Sequence, residues 1–161
     1  GWAAALRART AGKLSRLKKR LGGKKKKKRG APSRARGSRA VQLVYNRLDR
    51  APEANALPAC QQQDLGVLAR SPLASGWLSG KYRPGHKFPP TDTRSRGKGL
   101  VEGEPRHADF QQACSEVPAG VNMATWALAW CLNHPAVSAV IPGCKDAEQV
   151  RANAAAGESS E

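Results

Sequence analysis

Three short apolar runs along the chain predict buried β-strands. They cover residues 41–46, 67–69 and 137–141, and they consist mainly of Val, Leu, Ile and Ala, with one Tyr in the first. β-Branched and aromatic residues favour strands, and the Pro residues that follow the second and third runs are typical of strand ends. We therefore expect three strands at these positions.

Apolar residues with helical spacing separate the predicted strands. Pro52 suits the first turn of a helix, and Gly66 is placed to stop that helix before the second strand. Two further helices are predicted at 107–117 and 121–133, and spacings of three and four residues define the buried face of the latter. That face consists of Met123, Ala124, Ala127, Leu128 and Cys131.

The last predicted helix follows the third strand. Asp146 is a suitable N-cap and Gln149 stands in the capping-box position, so the pattern predicts a helix over 147–155. Residues 75–107 form a long connection rich in Gly, Pro, Lys and Arg, and connections of this length are usually functional or mobile. Because the strands alternate with helices, the chain is predicted to have an α/β fold with a parallel sheet.

The charge is distributed unevenly along the chain. The formal net charge is +16, but residues 1–40 contain 16 of the 28 Lys and Arg and no acidic residue, so residues 41–161 are neutral. Residues 1–40 are therefore predicted to be a basic, disordered or degenerate segment attached to a domain at 41–161. A short basic helix on an acidic partner stays open for this segment, because Leu14, Leu17 and Leu21 recur at helical spacing.

The four cysteines and the short apolar runs limit the class of protein. Cys60, Cys114, Cys131 and Cys144 form no C-x₂-C pair and have no His at ligand spacing, so no metal site is predicted. No apolar run reaches the roughly 18 residues of a membrane span. We expect a reduced cytoplasmic protein without a membrane segment, and the initial Gly suggests a processed or incomplete product.

Four stretches in fixed order resemble one known family. They are Gln-Leu-Val-Tyr-Asn at 42–46, the segment 66–82 with Ser-Pro-Leu-Ala-Ser-Gly and Gly-Lys-Tyr, Ala-Leu-Ala-Trp at 127–130, and 140–153 with Val-Ile-Pro-Gly. Together they resemble the aldo-keto reductase family, in particular its bacterial and channel-subunit-like branches. The resemblance covers residues 41 to about 157 and implies the C-terminal portion of a (β/α)₈ TIM barrel, about three strands with their helices. The whole chain of 161 residues is shorter than the roughly 250 residues of a complete barrel.

The resemblance implies NADP(H) as cofactor and a set of residues that bind it. Gln42 resembles the Gln that hydrogen-bonds the nicotinamide carboxamide, and Arg70 stands where many relatives have an aromatic residue that stacks on the nicotinamide. The Ser-Pro-Leu-Ala turn would contact phosphate through backbone or hydroxyl groups, consistent with ligands at the carboxyl ends of barrel strands. The residues of this turn are Ser71, Pro72, Leu73 and Ala74.

The remaining cofactor residues lie in the long connection and before the last helix. Lys81 resembles a pyrophosphate ligand, with a solvated loop lysine as the alternative. Gly143 would permit close approach of the adenosine 2′-phosphate, and Lys145 would supply charge. Gln149 stands where the aldose reductase branch has Arg, and Asn153 matches an adenine-contacting Asn.

No catalytic residue of the family is identified in the chain. The family uses an Asp, Tyr, Lys and His tetrad from its N-terminal half, in which the Tyr donates a proton as hydride reaches a carbonyl carbon. Tyr45 belongs to the strand motif and Tyr82 to the loop, and no Asp-x-Ala-x-x-Tyr-Gly sequence occurs. The three histidines are predicted to be structural, two in loops and one at a helix end. They are His86, His107 and His134.

The leading hypothesis is a fragment of an NADPH-dependent oxidoreductase that keeps cofactor-binding motifs and lacks the tetrad. Its partners would be the nicotinamide cofactor and, in the intact family, a small carbonyl substrate. Three strands cannot close a barrel, so exposed strand faces would favour aggregation or a partner that supplies the missing half. Two alternatives are an NADPH-sensing pseudoenzyme and a protein whose basic segment binds nucleic acid or an acidic partner. The nucleic-acid alternative lacks aromatic interleaving and a known nucleic-acid fold.

Overall fold

The computed structural model describes residues 39–97 and 99–158 and has an α/β fold. Strands β1 (Ala40–Val44), β2 (Gly66–Arg70) and β3 (Val137–Ile141) form one parallel sheet in the order β1-β2-β3. The four α-helices of the described residues alternate with these strands in the predicted order. They are α1 (Ala56–Gln62), α2 (Pro105–Glu116), α3 (Met123–Asn133) and α4 (Ala147–Glu158).

The register of the sheet gives it one buried face and one exposed face. Val67 and Ala69 of β2 are fully buried in a core with Leu57 of α1 and Cys131 of α3. The opposite face carries side chains that are exposed or half-buried, including Arg70. In the described part of the chain, helices therefore cover only one side of the sheet, whereas parallel sheets are normally covered on both.

A second core lies beyond the carboxyl ends of the strands. It joins the start of the long connection to helices α2 and α3, with Trp77 and Trp126 among its largest members. Trp77 is 6% exposed, so it is a packing residue of this core. Helix α3 buries Ala127, Leu128 and Cys131 as predicted. Trp126 and Ala129 are buried as well, whereas Met123 and Ala124 of the predicted face are only half-buried.

The segment between β1 and β2 differs from its prediction. Pro52 lies in a short 3-10 helix (Ala51–Glu53), and α1 begins only at Ala56. Gly66 does not stop the helix, because α1 ends at Gln62 and Asp64 makes the left-handed turn with φ of 56°. Gly66 is instead the first residue of β2. A side chain there would meet only ordinary contacts at 3.6 Å, so no steric demand selects glycine.

The other element boundaries agree with the predictions to within a few residues. Strand β3 has the predicted bounds, and β1 ends two residues earlier than predicted, because Asn46 turns the backbone and bridges to Asp49. His107 was described as a loop residue and was also the first residue of the helix predicted over 107–117; it lies in the first turn of α2 and is buried, 7% exposed. His134 caps the end of α3 as expected.

The predictions for the basic segment, including its possible helix, lie outside the described residues apart from Arg39 and Ala40. Of these two residues, Ala40 is the first residue of β1 and therefore belongs to the sheet. Among the residues described, none of the helices is long and apolar enough to cross a membrane.

Candidate functional site

The carboxyl ends of the three strands bring the predicted cofactor segments to one edge of the sheet. Val44 pairs with Arg70, and Arg70 pairs with Ile141, so the three strands end side by side. The segment that follows β2 contains the Ser-Pro-Leu-Ala turn, and the segment that follows β3 contains Gly143 and Lys145. The two groups of residues predicted to bind phosphate therefore start from neighbouring strand ends.

The backbone of the Ser-Pro-Leu-Ala turn has an uncommon conformation. Ser71, Ala74 and Ser75 have φ of 54°, 47° and 57°, in the left-handed region. Non-glycine residues in this region cost about 1–2 kcal/mol each, so the surrounding structure has to impose the conformation. Inside the turn, the Ala74 N–H donates to the Ser71 carbonyl at 2.9 Å. The Ala74 backbone donor that the sequence assigned to phosphate is therefore already engaged.

A loop packs on this turn and fixes its far end. The Arg94 guanidinium donates to the Ser75 carbonyl at 3.2 Å and lies over the Phe88 ring at 4.0 Å and the Tyr82 ring at 5.0 Å. A side chain at Gly76, whose φ is 97°, would lie 3.0 Å from the Arg94 guanidinium. Glycine is therefore required at this position for the loop to approach.

Asp92 orients Arg94. Its carboxylate accepts hydrogen bonds from Arg94 Nε at 2.9 Å and Nη2 at 2.6 Å, and this pairing lowers the pKa of Asp92 to about 2. Neither residue was expected to have a role. The signal available in the sequence was weak, because an Asp-x-Arg triplet in a loop is common and its aromatic partners are six or more positions earlier.

The predicted nicotinamide residues lie on the exposed side of the sheet. Gln42 pairs with Leu68 in the middle of β1, and Arg70 ends β2, so both side chains point to the face that helices leave uncovered. Both residues are exposed. Lys81 is also exposed and follows the left-handed Gly80, which has φ of 78°.

The connection from β3 to α4 is organised by a capping arrangement. The Asp146 carboxylate accepts from the Gln149 N–H at 2.7 Å, and the Gln149 side-chain amide donates to the same carboxylate at 2.9 Å. Gln149 Oε1 accepts from the Lys145 N–H at 3.3 Å. The predicted capping role of Asp146 is thus present, and it engages the Gln149 side chain that the resemblance assigned to the cofactor.

The other predicted residues of this connection are open to solvent. Gly143 and Lys145 are exposed, and a side chain at Gly143 would meet no atom within 4 Å. Asn153 is half-buried on α4, four residues after Gln149 and hence on the same side of the helix. The space that a side chain at Gly143 would occupy is therefore open.

The contacts of Tyr45 indicate a structural role. Its hydroxyl donates to Glu53 at 2.9 Å, and its ring packs against Trp130 at 5.4 Å and His134 at 5.6 Å. Burial and the neighbouring carboxylate raise the pKa of Tyr45 far above its ordinary value. A tyrosine that holds its proton this firmly is poorly suited to donate it near neutral pH.

A polar cleft of about 410 Å³ lies away from the predicted residues. Arg47, Arg50, Glu53 and Asp109 are among its lining residues. Arg50 pairs with Glu53 at 2.8 Å, and Arg47 pairs with Glu116 at 2.6 Å. Because these charges are largely compensated by each other, the cleft offers little net charge to a ligand.

Comparison with known proteins identifies the family. A sequence model of the Aldo/keto reductase family matches residues 33–160. The chain therefore belongs to the aldo/keto reductase family. Its three parallel strands and helices are part of the TIM barrel of that family, which confirms the predicted fold class.

Individual relatives show how much of a family member the chain contains. The uncharacterized oxidoreductase YrpG of Bacillus subtilis (strain 168) is 36% identical over 110 residues, which are 68% of this chain and 32% of that protein. A probable voltage-gated potassium channel subunit beta of Oryza sativa subsp. japonica is 36% identical over 63% of this chain and 32% of its own length. The chain thus spans about a third of the length of the curated relatives it matches.

The comparison with solved structures also matches the chain to only part of a family member. The aldo-keto reductase AKR11C1 from Bacillus halodurans, in its apo form, matches with a TM-score of 0.57 and 28% identity. The match covers 74% of this chain and 38% of AKR11C1. The holo form of AKR11C1 matches with the same TM-score and identity.

Proposed function

We propose that the strand ends and the two connections that follow β2 and β3 bind NADPH, as part of an oxidoreductase of the aldo-keto reductase type. The observation that supports this proposal most is the pairing of Val44, Arg70 and Ile141, because it brings a strained turn and an exposed, lysine-bearing connection to one edge. Ligands of parallel α/β folds bind at this edge of the sheet.

The residues fit a phosphorylated dinucleotide in charge and in space. Arg70 ends β2, and Lys81 and Lys145 lie in the connections that follow β2 and β3; all three are exposed cations, and a side chain at Gly143 would meet open space. Phosphate groups pair well with exposed cations and with the N-terminus of a helix such as α4. In the proposed complex, Lys145 holds the 2′-phosphate, and Lys81 with the Ser71 hydroxyl and Leu73 N–H holds the pyrophosphate.

Two of the predicted cofactor residues already form hydrogen bonds within the protein. The Gln149 side chain would release its bonds to Lys145 and Asp146 in order to contact the cofactor. Ala74 would contribute through packing and not through its N–H. Gln42 and Arg70, on the exposed face of the sheet, would orient the nicotinamide. The bound nicotinamide supplies the hydride in this family, and the chain's own residues position it.

Proton donation to a carbonyl substrate is not assigned to any residue of the chain. Tyr45 is buried against Glu53, and Tyr82 packs in the loop against Trp77 and Phe88. We therefore propose that the chain contributes cofactor binding and that carbonyl reduction requires groups which these residues do not provide. A cytoplasmic location stays a prediction.

A titration with the two nicotinamide cofactors tests the proposal. We expect saturable binding of NADPH to the full chain, followed by tryptophan fluorescence and by a rise in the thermal midpoint. Lys145→Gln should weaken NADPH binding about tenfold, since a charge-assisted bond is lost, and should leave NADH binding unchanged.

A matched substitution controls for loss of charge alone. Lys87→Gln removes an exposed loop lysine that lies away from the strand ends in sequence, and it should bind NADPH like the unmodified chain. The proposal would be wrong if the chain showed no saturable NADPH binding. It would also be wrong if Lys87→Gln and Lys145→Gln reduced the affinity equally.

A further inference from the structure

Asn46 connects the strand end of β1 to the strained turn after β2. It is completely buried, and its side-chain Nδ2 donates to the Ser71 carbonyl at 3.0 Å and to Asp49 Oδ2 at 2.8 Å. Its Oδ1 accepts from the Leu48 N–H and the Asp49 N–H, both at 2.9 Å. Both N–H groups and the oxygen of the amide are therefore occupied.

The orientation of this amide is set by its partners. Nδ2 faces a carboxylate and a carbonyl, which only accept, and Oδ1 faces two backbone N–H groups, which only donate. A flipped amide would oppose acceptor to acceptor and donor to donor, at a buried position where unpaired groups are costly. The network therefore allows a single orientation for Asn46.

A third segment of the chain supports the same network. Asp49 accepts from Arg106 Nη1 at 2.7 Å and Nη2 at 3.0 Å, and Arg106 lies in the first turn of α2. The arginine lowers the pKa of the Asp49 carboxyl, so this group stays ionised and keeps accepting from Asn46 at neutral pH. Asn46 is thus held between a fixed carboxylate and the Ser71 carbonyl.

We infer that Asn46 is a positioning residue for the proposed phosphate-binding turn: its amide, oriented by Asp49 and Arg106, holds the Ser71 carbonyl and with it the left-handed backbone of the turn. This inference rests on the proposed function. Ser71 has φ of 54° directly before Pro72, a combination that an unconstrained chain disfavours. The Ser71 carbonyl also accepts from the Ala74 N–H. The bond from Asn46 therefore acts on two of the three left-handed residues, Ser71 and Ala74.

The substitution Asn46→Asp removes the tether. It keeps the size of the side chain and the acceptor for the two backbone N–H groups, and it replaces the donor to both Ser71 and Asp49 with an acceptor, so the bond to Asp49 is lost as well. We expect faster hydrogen exchange of the backbone amides at 71–76 in the cofactor-free protein and an NADPH affinity about tenfold weaker, equivalent to one lost hydrogen bond. Asn122→Asp is the matched control, because a carboxylate at this exposed helix N-cap still accepts from the Ala124 N–H.

A swapped double variant separates positioning from general stability. In Asn46→Asp/Asp49→Asn, the amide introduced at position 49 can donate to the carboxylate introduced at position 46, so the bond between the two positions is restored. The Ser71 carbonyl still lacks its donor. Position 49 then no longer presents a carboxylate to Arg106, so we expect the thermal midpoint to rise above that of Asn46→Asp but to recover only in part, while exchange at 71–76 stays fast and NADPH binding stays weak.

The possible outcomes decide between the explanations. If NADPH affinity recovers together with the thermal midpoint in the double variant, Asn46 acts only through stability and the inference is wrong. Unchanged exchange at 71–76 in both variants would likewise overturn it. If Asn46→Asp does not fold, Arg106→Gln removes the distal support at a partly exposed site, and normal exchange and affinity there would overturn the inference.

Failure of the proposed function gives a different result. An unmodified chain that exchanges slowly at 71–76 but does not bind NADPH would refute cofactor binding, and the role of Asn46 towards the cofactor would fall with it. The exchange comparison between the unmodified chain and Asn46→Asp would still show whether the amide holds the turn.

Discussion

Arg47 and Glu116 form an ion pair between the segment after β1 and the last residue of α2. Arg47 Nε donates to Glu116 Oε2 at 2.8 Å, and Nη2 donates to Oε1 at 2.6 Å. The side chain of Arg47 is 5% exposed and that of Glu116 is 35% exposed. The guanidinium also lies 5.9 Å from the Trp130 ring. Glu116→Gln keeps the size of the side chain, replaces one of the two acceptors with a donor and removes the charge that compensates a buried arginine.

The expected loss lies between two limits. Removal of one partner from a fully buried pair costs about 3–5 kcal/mol, and an exposed pair contributes about 0–1 kcal/mol. Because Arg47 is buried and Glu116 is partly screened by solvent, we expect Glu116→Gln to lower the free energy of unfolding by about 2 kcal/mol. For a domain of this size the thermal midpoint should fall by roughly 8 °C.

The assay is thermal and urea unfolding of the full chain at neutral pH. Glu102→Gln is the matched control, since Glu102 is exposed, and it should change the stability by less than about 0.5 kcal/mol. In the double variant Arg47→Met/Glu116→Leu no charge is left unpaired, so the stability should recover to within about 1 kcal/mol of the unmodified chain.

The pH dependence provides a second measurement on the same pair. Arg47 lowers the pKa of Glu116 from its ordinary 4.5, so the stability from this carboxylate is fully present above pH 4.5 and is lost as the pH falls through the lowered value. The unfolding curves of the unmodified chain and of Glu116→Gln should therefore converge in acid. Equal stability of Glu116→Gln and Glu102→Gln at neutral pH would refute the reasoning.

Three further predictions concern cysteine reactivity, acid stability and the core. Iodoacetamide should label the exposed Cys144 in the native protein and spare Cys131, because burial raises the pKa of the Cys131 thiol to about 12; peptide mass analysis with and without urea gives the comparison. Asp49→Asn should reduce stability at neutral pH but not in strong acid. The Asp49 pKa is lowered in the folded state, so the stability that the ionised carboxylate contributes disappears when it is protonated. Acid titration followed by circular dichroism checks this prediction. Leu57→Ala should lower the free energy of unfolding by about 2–5 kcal/mol in urea, since the side chain is fully buried, and a loss below 1 kcal/mol would contradict the assigned core.

The sequence by itself predicted the secondary structure and the fold class. The apolar runs of β2 and β3, the period of α3 and the cap at Asp146 are local patterns, and each appears in the structure within a few residues of its predicted place. Local patterns are reliable here because the same few residues determine both backbone conformation and burial. The resemblance to aldo-keto reductases also came from short motifs, and the family match confirms it.

The local preference of a single residue was less informative where tertiary contacts decide its place in the fold. Gly66 looked like a helix stop but begins β2, because the chain had already turned at Asp64. His107 stood at the predicted start of a helix, but its burial in the first turn of α2 was not predicted. For both residues, the packing of the surrounding elements decides what the local pattern did not indicate.

The site depends on contacts that only the tertiary structure supplies. Asn46 reaches Ser71 across 25 positions, Arg106 reaches Asp49 across 57, and Arg94 reaches Ser75 across 19. A sequence motif can name a Ser-Pro-Leu-Ala turn, but it does not contain the donors that keep the turn left-handed. Those donors come from elements that meet only when parallel strands align their carboxyl ends. For this reason, local sequence patterns predicted the fold but could not predict the geometry of the site.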